Sequence, residues 1–338
     1  MKKALIAALT MLAVAAAPVH AETAAAKKKT TVSKSASKPA QKTASKTRSS
    51  KPPVKAAARK PTVKRASVQG DRLVGDSLPM SAASLGLHSS AVLVLDQMSG
   101  SILYEKNAGA VVPIASITKL MTAMVSLDAQ PSLHEPMTIS EEDIDTLKGT
   151  RSRLKVGTQL SREEMLRLAL MSSENRASSA LSRYYPGGRP AFIAAMNRKA
   201  QSLGLVDTHF EDSTGLNSAN VSSARDLVKM VAAAHQYPLI REFSTAAEYD
   251  VIVDGRVQEF HNTNSLVRSA NSGWDIGLSK TGFINEAGKC LVMQAWFNHK
   301  PMIIVLLDSW GKMTRIGDAN RIKKWVERYA QTDKPNTI

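Results

Sequence analysis

The 338-residue chain has one cysteine, 5% aromatic residues and seven histidines without a paired spacing. One cysteine cannot close an internal disulfide, so stability must come from a packed core. No His-Glu-x-x-His or clustered Cys/His pattern occurs, so the common zinc-site signatures are excluded. No metal and no cofactor are expected. Long apolar runs are also lacking: after the first 21 residues none is long enough to span a bilayer. Acidic residues are nearly missing from 22–66, which hold 14 Lys/Arg and one acid.

The charge imbalance divides the chain. Residues 1–21, MKKALIAALTMLAVAAAPVHA, carry two lysines, an apolar run and a small-residue end. That is the pattern of a secretory signal peptide, with cleavage expected after Ala21. Glu22 would be the new first residue, so lipid anchoring at cysteine is not indicated. Residues 22–76 are expected to be a basic disordered tether, because they hold too little apolar surface to offset the entropy of ordering. The rest is nearly neutral, with 28 Lys/Arg against 26 Asp/Glu from Ser77 onward. One folded domain over 77–331 and a short tail over 332–338 are expected. A basic tail suits nucleic acid in general, but an exported chain leaves that partner behind. An anionic envelope surface is the better electrostatic partner for 22–66, and a charged spacer would have the same composition.

Within the domain, AVLVLDQMSGSILYEK reads as two strands about a Met-Ser-Gly turn. VVPIASITKLMTAMVSL (Val111–Leu127) reads as a helix whose buried stripe is Ile114, Ile117, Met121 and Met124. SREEMLRLALMSS reads as a helix capped by Ser161, with Glu164 completing a capping box. PAFIAAMNRKAQSLGL and SARDLVKMVAAAHQY are two more helices, the latter capped by Ser223. GLSKTGF, KCLVMQAWFN and PMIIVLLD read as three strands, and RIGDANRIKKWVERYA as a closing helix. Strands at both ends with helices between imply a sheet in which the first strands pair with the last.

Ser116 and Lys119 stand three apart, off the apolar stripe and on a shared face. The spacing alone is weak, since Ser-x-x-Lys occurs four times. Ser173-Glu174-Asn175 follows the Ser161 helix; Ser-x-Asn recurs elsewhere, and a helix C-terminal turn would look alike. Lys280-Thr281-Gly282 occurs once, on a strand near the end. The ordered set is distinctive: Ser-x-x-Lys, then Ser-x-Asn, then Lys-Thr-Gly is the triplet of penicillin-binding proteins and class A β-lactamases. With PIASITKLMTA, LMSSENRASSAL, FEDSTGLNSANVSSARDL and GLSKTGFINEAGKCLV, the chain resembles the low-molecular-mass penicillin-binding proteins. SSENRASSAL is especially similar to their D-alanyl-D-alanine endopeptidase branch.

The resemblance implies a mixed α/β (α+β) fold of the β-lactamase/DD-peptidase type. A five-stranded antiparallel sheet would pack with helices, beside a mainly helical subdomain, with the site in the cleft between. It implies Ser116 as nucleophile, Lys119 as its base and Ser173 as proton relay. Asn175, Lys280, Thr281 and Gly282 would bind substrate, and the backbone N–H groups of Ser116 and Phe283 would form the oxyanion hole. A lysine acts as a base only when its pKa falls from about 10.4, and both burial and the charge of Lys280 are expected to lower it. The implied substrate is the peptidoglycan stem peptide, and β-lactams are the implied covalent inhibitors. The chain ends soon after the last strand, with no sign of a second domain or amphipathic anchor. This favours a periplasmic, loosely envelope-associated endopeptidase over a carboxypeptidase. A β-lactamase or a non-enzymatic wall-binding protein are more distant alternatives. Glu211, Asp212 and the Ser218/Asn220 pair are expected to be structural, and Trp274, Trp296 and Trp310 to pack in the core or at a rim.

Overall fold

The apolar runs AVLVLD and PMIIVLLD have no polar alternation, and the sheet explains why: both of its faces are covered. In the computed structural model, residues 85–253 and 255–332 are described. The expected signal peptide 1–21, the tether 22–76 and residues 333–338 lie outside them. Strand β1 (Ala91–Asp96) turns back into β2 (Ile102–Lys106). Three short antiparallel pairs follow: β3 (Val112–Pro113) with β6 (Val221–Ser222), β4 (Pro136–Thr138) with β5 (Gln159–Ser161), and β7 (Glu248–Val253) with β8 (Arg256–His261). Strands β9 (Asp275–Ile284), β10 (Gly288–Phe297) and β11 (Lys300–Ser309) complete a five-stranded antiparallel sheet of order β2-β1-β11-β10-β9. The first strands do pair with the last, through β1 and β11.

Alternate residues of β11 enter different cores. Ile303, Val305 and Leu307 face the larger one, and Met302, Ile304 and Leu306 face the smaller. The larger core is built with α1 (Lys119–Asp128), α2 (Arg162–Met171), α3 (Asn175–Arg183), α4 (Gly188–Ser202), α5 (Ala224–Ala234) and α6 (Pro238–Thr245). A short α7 (Ser265–Arg268) precedes β9. On the other face lies α8 (Thr314–Thr332), whose Trp325 meets Tyr104 edge-on at 6.3 Å. No helix among the described residues is long and apolar enough to cross a membrane.

Capping chemistry places two of the expected helix starts. The Ser161/Glu164 capping box is formed at α2, and the Ser223 hydroxyl accepts from Asp226 N–H at α5. The expected helix over 111–127 is shorter. Val112–Pro113 is a strand, Ala115–Thr118 is a 3-10 turn, and α1 begins only at Lys119. Its stripe residues Ile114, Ile117, Met121 and Met124 are all fully buried, but so is Lys119. This helix is central, enclosed along Lys119–Ser126.

Candidate active site

Four segments converge at the N-terminal end of α1. The first is the 3-10 turn carrying Ser116. Ala115 before it has φ 48°, a left-handed conformation that disfavours a side chain. The surrounding chain holds it there. A methyl group on Gly215 would sit 2.0 Å from the Ala115 carbonyl oxygen, and one on Gly282 would sit 2.8 Å from the Ile114 carbonyl oxygen and 3.1 Å from Ser116 N. Two glycines let the neighbouring chain press against this turn from two directions.

The second segment joins α2 to α3. Ser173 is left-handed (φ 62°), and Asn175 opens α3. The Glu174 carboxylate accepts from Ser152 Oγ at 2.8 Å and so ties down the 152–154 segment. The third is β9, an edge strand, which carries Lys280, Thr281, Gly282 and Phe283. Thr281 donates to the Thr263 hydroxyl (2.6 Å), and Arg315 at the start of α8 donates to the Gly282 carbonyl (3.2 Å). Phe283 is half exposed, with the Lys289 ammonium 4.3 Å from its ring centre. The fourth is the loop from Glu211 to Asn220.

Lys119 Nζ donates to Ser116 Oγ (2.8 Å), Asn175 Oδ1 (2.8 Å) and the Thr214 carbonyl (2.7 Å). The Asn175 amide is oriented by a chain of donors. Thr150 Oγ1 donates to the Asp145 carboxylate (2.7 Å) and must then accept from Asn175 Nδ2 (3.0 Å). Oδ1 is left facing Lys119. Lys280 Nζ donates to Ser173 Oγ (2.9 Å) and to the Thr281 carbonyl (3.0 Å).

Both lysines are buried, and burial penalises the charged form. It pushes Lys119 down to about 7, against the opposing pull of Asp212 and then Glu174. Lys280 is held well below the ordinary lysine range by burial first, then by Lys119 and Arg315. The sequence reading shares the depression of Lys119 between burial and Lys280. In the structure burial is the largest cause at both lysines, and the repulsion between the two amines acts on both.

The structure therefore brings Ser116, Lys119, Ser173, Asn175, Lys280, Thr281 and Gly282 together, with Phe283 next along the strand. The two lysines divide their partners: Lys119 holds Ser116 and Asn175, while Lys280 holds Ser173. Sequence reasoning missed Thr214, whose contribution is a carbonyl, and Thr150, Thr263 and Arg315, which no local pattern marks. Asp212 and Asn220 tie the 211–220 loop together by hydrogen bonds, and the loop they shape reaches Lys119. Among the described residues, Glu248, Glu259 and His261 also gather side-chain ligand atoms. They form an exposed polar cluster on the β7–β8 hairpin, with His261 3.8 Å from Glu248 and 3.5 Å from Glu259.

Residues 79–311 match the family described as D-alanyl-D-alanine carboxypeptidase. The chain belongs to this family of serine D-Ala-D-Ala peptidases. A Pseudomonas aeruginosa protein named D-alanyl-D-alanine endopeptidase is 49% identical over 251 residues, 74% of this chain and 80% of that protein. An Escherichia coli protein of the same name is 46% identical over 241 residues, 71% of this chain and 77% of that protein. An Escherichia coli D-alanyl-D-alanine carboxypeptidase is 30% identical over 256 residues, 72% of this chain and 62% of that protein. A solved Streptomyces DD-transpeptidase superposes with a TM-score of 0.65 at 28% identity, covering 71% of this chain and 97% of its own. Among these relatives the endopeptidases are more similar than the carboxypeptidase.

Proposed function

We propose that the protein is a periplasmic endopeptidase that cleaves D-alanyl cross-links of peptidoglycan through an acyl-enzyme on Ser116. The observation that carries the mechanism is the partner set of Lys119. A neutral amine has two N–H donors and one lone pair. The Asn175 Oδ1 and Thr214 carbonyl oxygens can only accept, so they take the two N–H groups. The lone pair is then left to Ser116 Oγ, 2.8 Å away, the one partner of the three that has a proton to give. Burial lowers the Lys119 pKa to about 7, so the neutral amine is accessible at neutral pH.

Ser116 then attacks the carbonyl carbon of the D-alanyl residue, and Lys119 takes the hydroxyl proton. The oxyanion sits by the backbone N–H groups of Ser116 and Phe283, where Gly282 packs on the nucleophile turn. Ser173, held by Lys280, passes its proton to the leaving amine and recovers the one that Lys119 took from Ser116; the carbonyl–nitrogen bond breaks, and loss of the amine leaves the acyl-enzyme. Water then hydrolyses the ester and frees Ser116. Thr281 and Gly282 offer an edge strand along which an extended peptide can pair. Arg315 adds a cation beside Gly282 that suits a carboxylate of the leaving strand. A β-lactam would acylate Ser116 by the same route.

The domain is taken to span residues 77–331. The basic segment 22–66 is read as an electrostatic contact to the anionic envelope. The deciding experiment incubates the protein with purified cross-linked dimeric muropeptide and with a monomeric pentapeptide, followed by mass analysis. Monomers formed from the dimer, and none with Ser116→Ala, are the expected result. Release of D-alanine from the pentapeptide with the dimer left intact would make the enzyme a carboxypeptidase. Rapid turnover of penicillin would make it a β-lactamase.

A further inference from the structure

The loop before β6 is tied at both ends by polar side chains that the mechanism above does not use. Asp212 gathers five donors. Its Oδ1 accepts from Thr214 N–H (3.1 Å), Gly215 N–H (2.6 Å) and Asn220 Nδ2 (3.0 Å). Its Oδ2 accepts from Asn217 N–H (2.9 Å) and Thr214 Oγ1 (3.0 Å). Fully buried Asn220 closes the other end. Its Oδ1 accepts from Glu211 and Asp212 N–H (2.8 and 3.1 Å), and its Nδ2 also reaches Thr118 Oγ1 (3.0 Å). Thr118 belongs to the turn that carries Ser116. The loop is thus fastened to the nucleophile turn, and the Thr214 carbonyl is fixed 2.7 Å from Lys119 Nζ.

We infer that Asp212 is a positioning residue for the reaction: by gathering these donors it aims the Thr214 carbonyl at Lys119 and so keeps the amine's lone pair on Ser116. This rests on the Ser116/Lys119 reading above. A carbonyl that drifts would let the amine rotate, and its lone pair would leave the hydroxyl. The carboxylate also acts through its charge. The charged groups about Lys119 are Asp212 on this loop, Glu174 ahead of α3, and Lys280 on β9 with Arg315 beyond it. Asp212 is the stronger of the two anions that keep Lys119 from falling further. Its removal therefore has two signatures: a lower acylation plateau from lost aim, and an acid limb displaced to lower pH. A carboxylate that only braced the fold would leave the plateau unchanged in the molecules that remain folded, whatever its charge does to the limb.

The test is the pH profile of penicillin acylation from about pH 5 to 10, per folded site, for wild type, Ser116→Ala, Asp212→Asn and Asp212→Glu. Asp212→Asn is expected to lower the plateau between about tenfold and a hundredfold and to move the acid limb down. Asp212→Glu, which keeps the charge, is expected to keep the limb. If Asp212→Asn does not fold, Thr214→Val serves: it removes one donor to the carboxylate and is expected to lower the plateau several-fold with the fold intact. An Asp212→Asn profile that overlays wild type overturns the inference, as does unchanged acylation by Thr214→Val where Asp212→Asn is unfolded. Wild-type protein that does not acylate, or Ser116→Ala that does, would instead overturn the function reading.

Discussion

Gly215 lies so close to Ala115 that an added methyl group would meet the Ala115 carbonyl oxygen at 2.0 Å and Ser116 N at 2.9 Å. These are backbone atoms of the turn that carries Ser116 and cannot swing aside. Gly215 also has φ 83°, which an L side chain rarely adopts. Gly215→Ala must therefore shift either the Ser116 turn or the loop that carries the Thr214 carbonyl. The expected result is a fall in penicillin acylation of about a hundredfold or more, with the far-ultraviolet circular dichroism retained. Near-wild-type acylation would show that the contact relaxes without reaching Ser116.

The Asn175 amide offers a test of how Lys119 is tuned. Asn175→Asp keeps the shape and places an anionic acceptor 2.8 Å from the amine. An anion favours the protonated lysine, so the pKa rises from about 7. The acid limb of acylation should move to higher pH, and below the limb each unit of displacement is about a tenfold loss. Activity should recover as pH is raised. A limb that stays in place with a uniformly low rate would mean that Asn175 acts on substrate alone.

Lys280 is expected to behave differently. Burial, and not Lys280, dominates the depression of Lys119. Lys280→Gln should therefore lower the acylation plateau by about two orders of magnitude, through loss of its hold on Ser173 and on the substrate. The acid limb should move up by less than a unit, because burial, the largest cause of the depression, remains. A limb displaced upward by a full unit, with recovery at pH 10, would return Lys280 to the role of tuning the base.

How much of this was legible in sequence depends on range. The Ser161/Glu164 box and the Ser223 cap are local devices and mark their helices directly. The three motifs are legible because each compresses chemistry into three or four residues. Helix α3 was missed because Leu181 is its one large apolar residue and it opens without a side-chain cap. The β7–β8 hairpin was missed because exposed Ile252 and Val257 interrupt the alternation set by buried Val251, Val253 and Phe260. The Thr214 carbonyl could not be found from residue types, since every residue has a carbonyl. Only the fold says which one meets a lysine.

The tether can be tested apart from the chemistry. A chain beginning at Ser77 should turn over soluble dimeric muropeptide as a chain beginning at Glu22 does. It should bind whole sacculi less tightly, with the gap largest at low salt, because screening weakens association driven by the 14 Lys/Arg of residues 22–66. Equal binding of both proteins at low salt would remove the electrostatic role.

The buried amine should also be visible in stability. Lys119 has a pKa of about 7 in the folded protein against 10.5 as a free side chain. Between those values the unfolded chain holds one more proton than the folded one, so stability rises with pH across that window. Below about pH 7 both states hold the proton, and the full penalty of a buried charge is present. Above about pH 10.5 neither does, and the penalty is gone. A shift of this size corresponds to about 5 kcal/mol at most. Lys119→Met removes the titration while filling much of the same volume. The stability of wild type minus that of Lys119→Met should be flat below about pH 6 and climb by several kcal/mol toward pH 10. Groups elsewhere titrate in both proteins and largely cancel in the difference; Lys280, which Lys119 depresses, does not, so both proteins are compared in a Lys280→Met background. Urea unfolding of the two proteins at intervals across that range measures it. A difference that does not change with pH would mean that Lys119 stays protonated in its pocket, and a protonated Lys119 could not take the proton of Ser116.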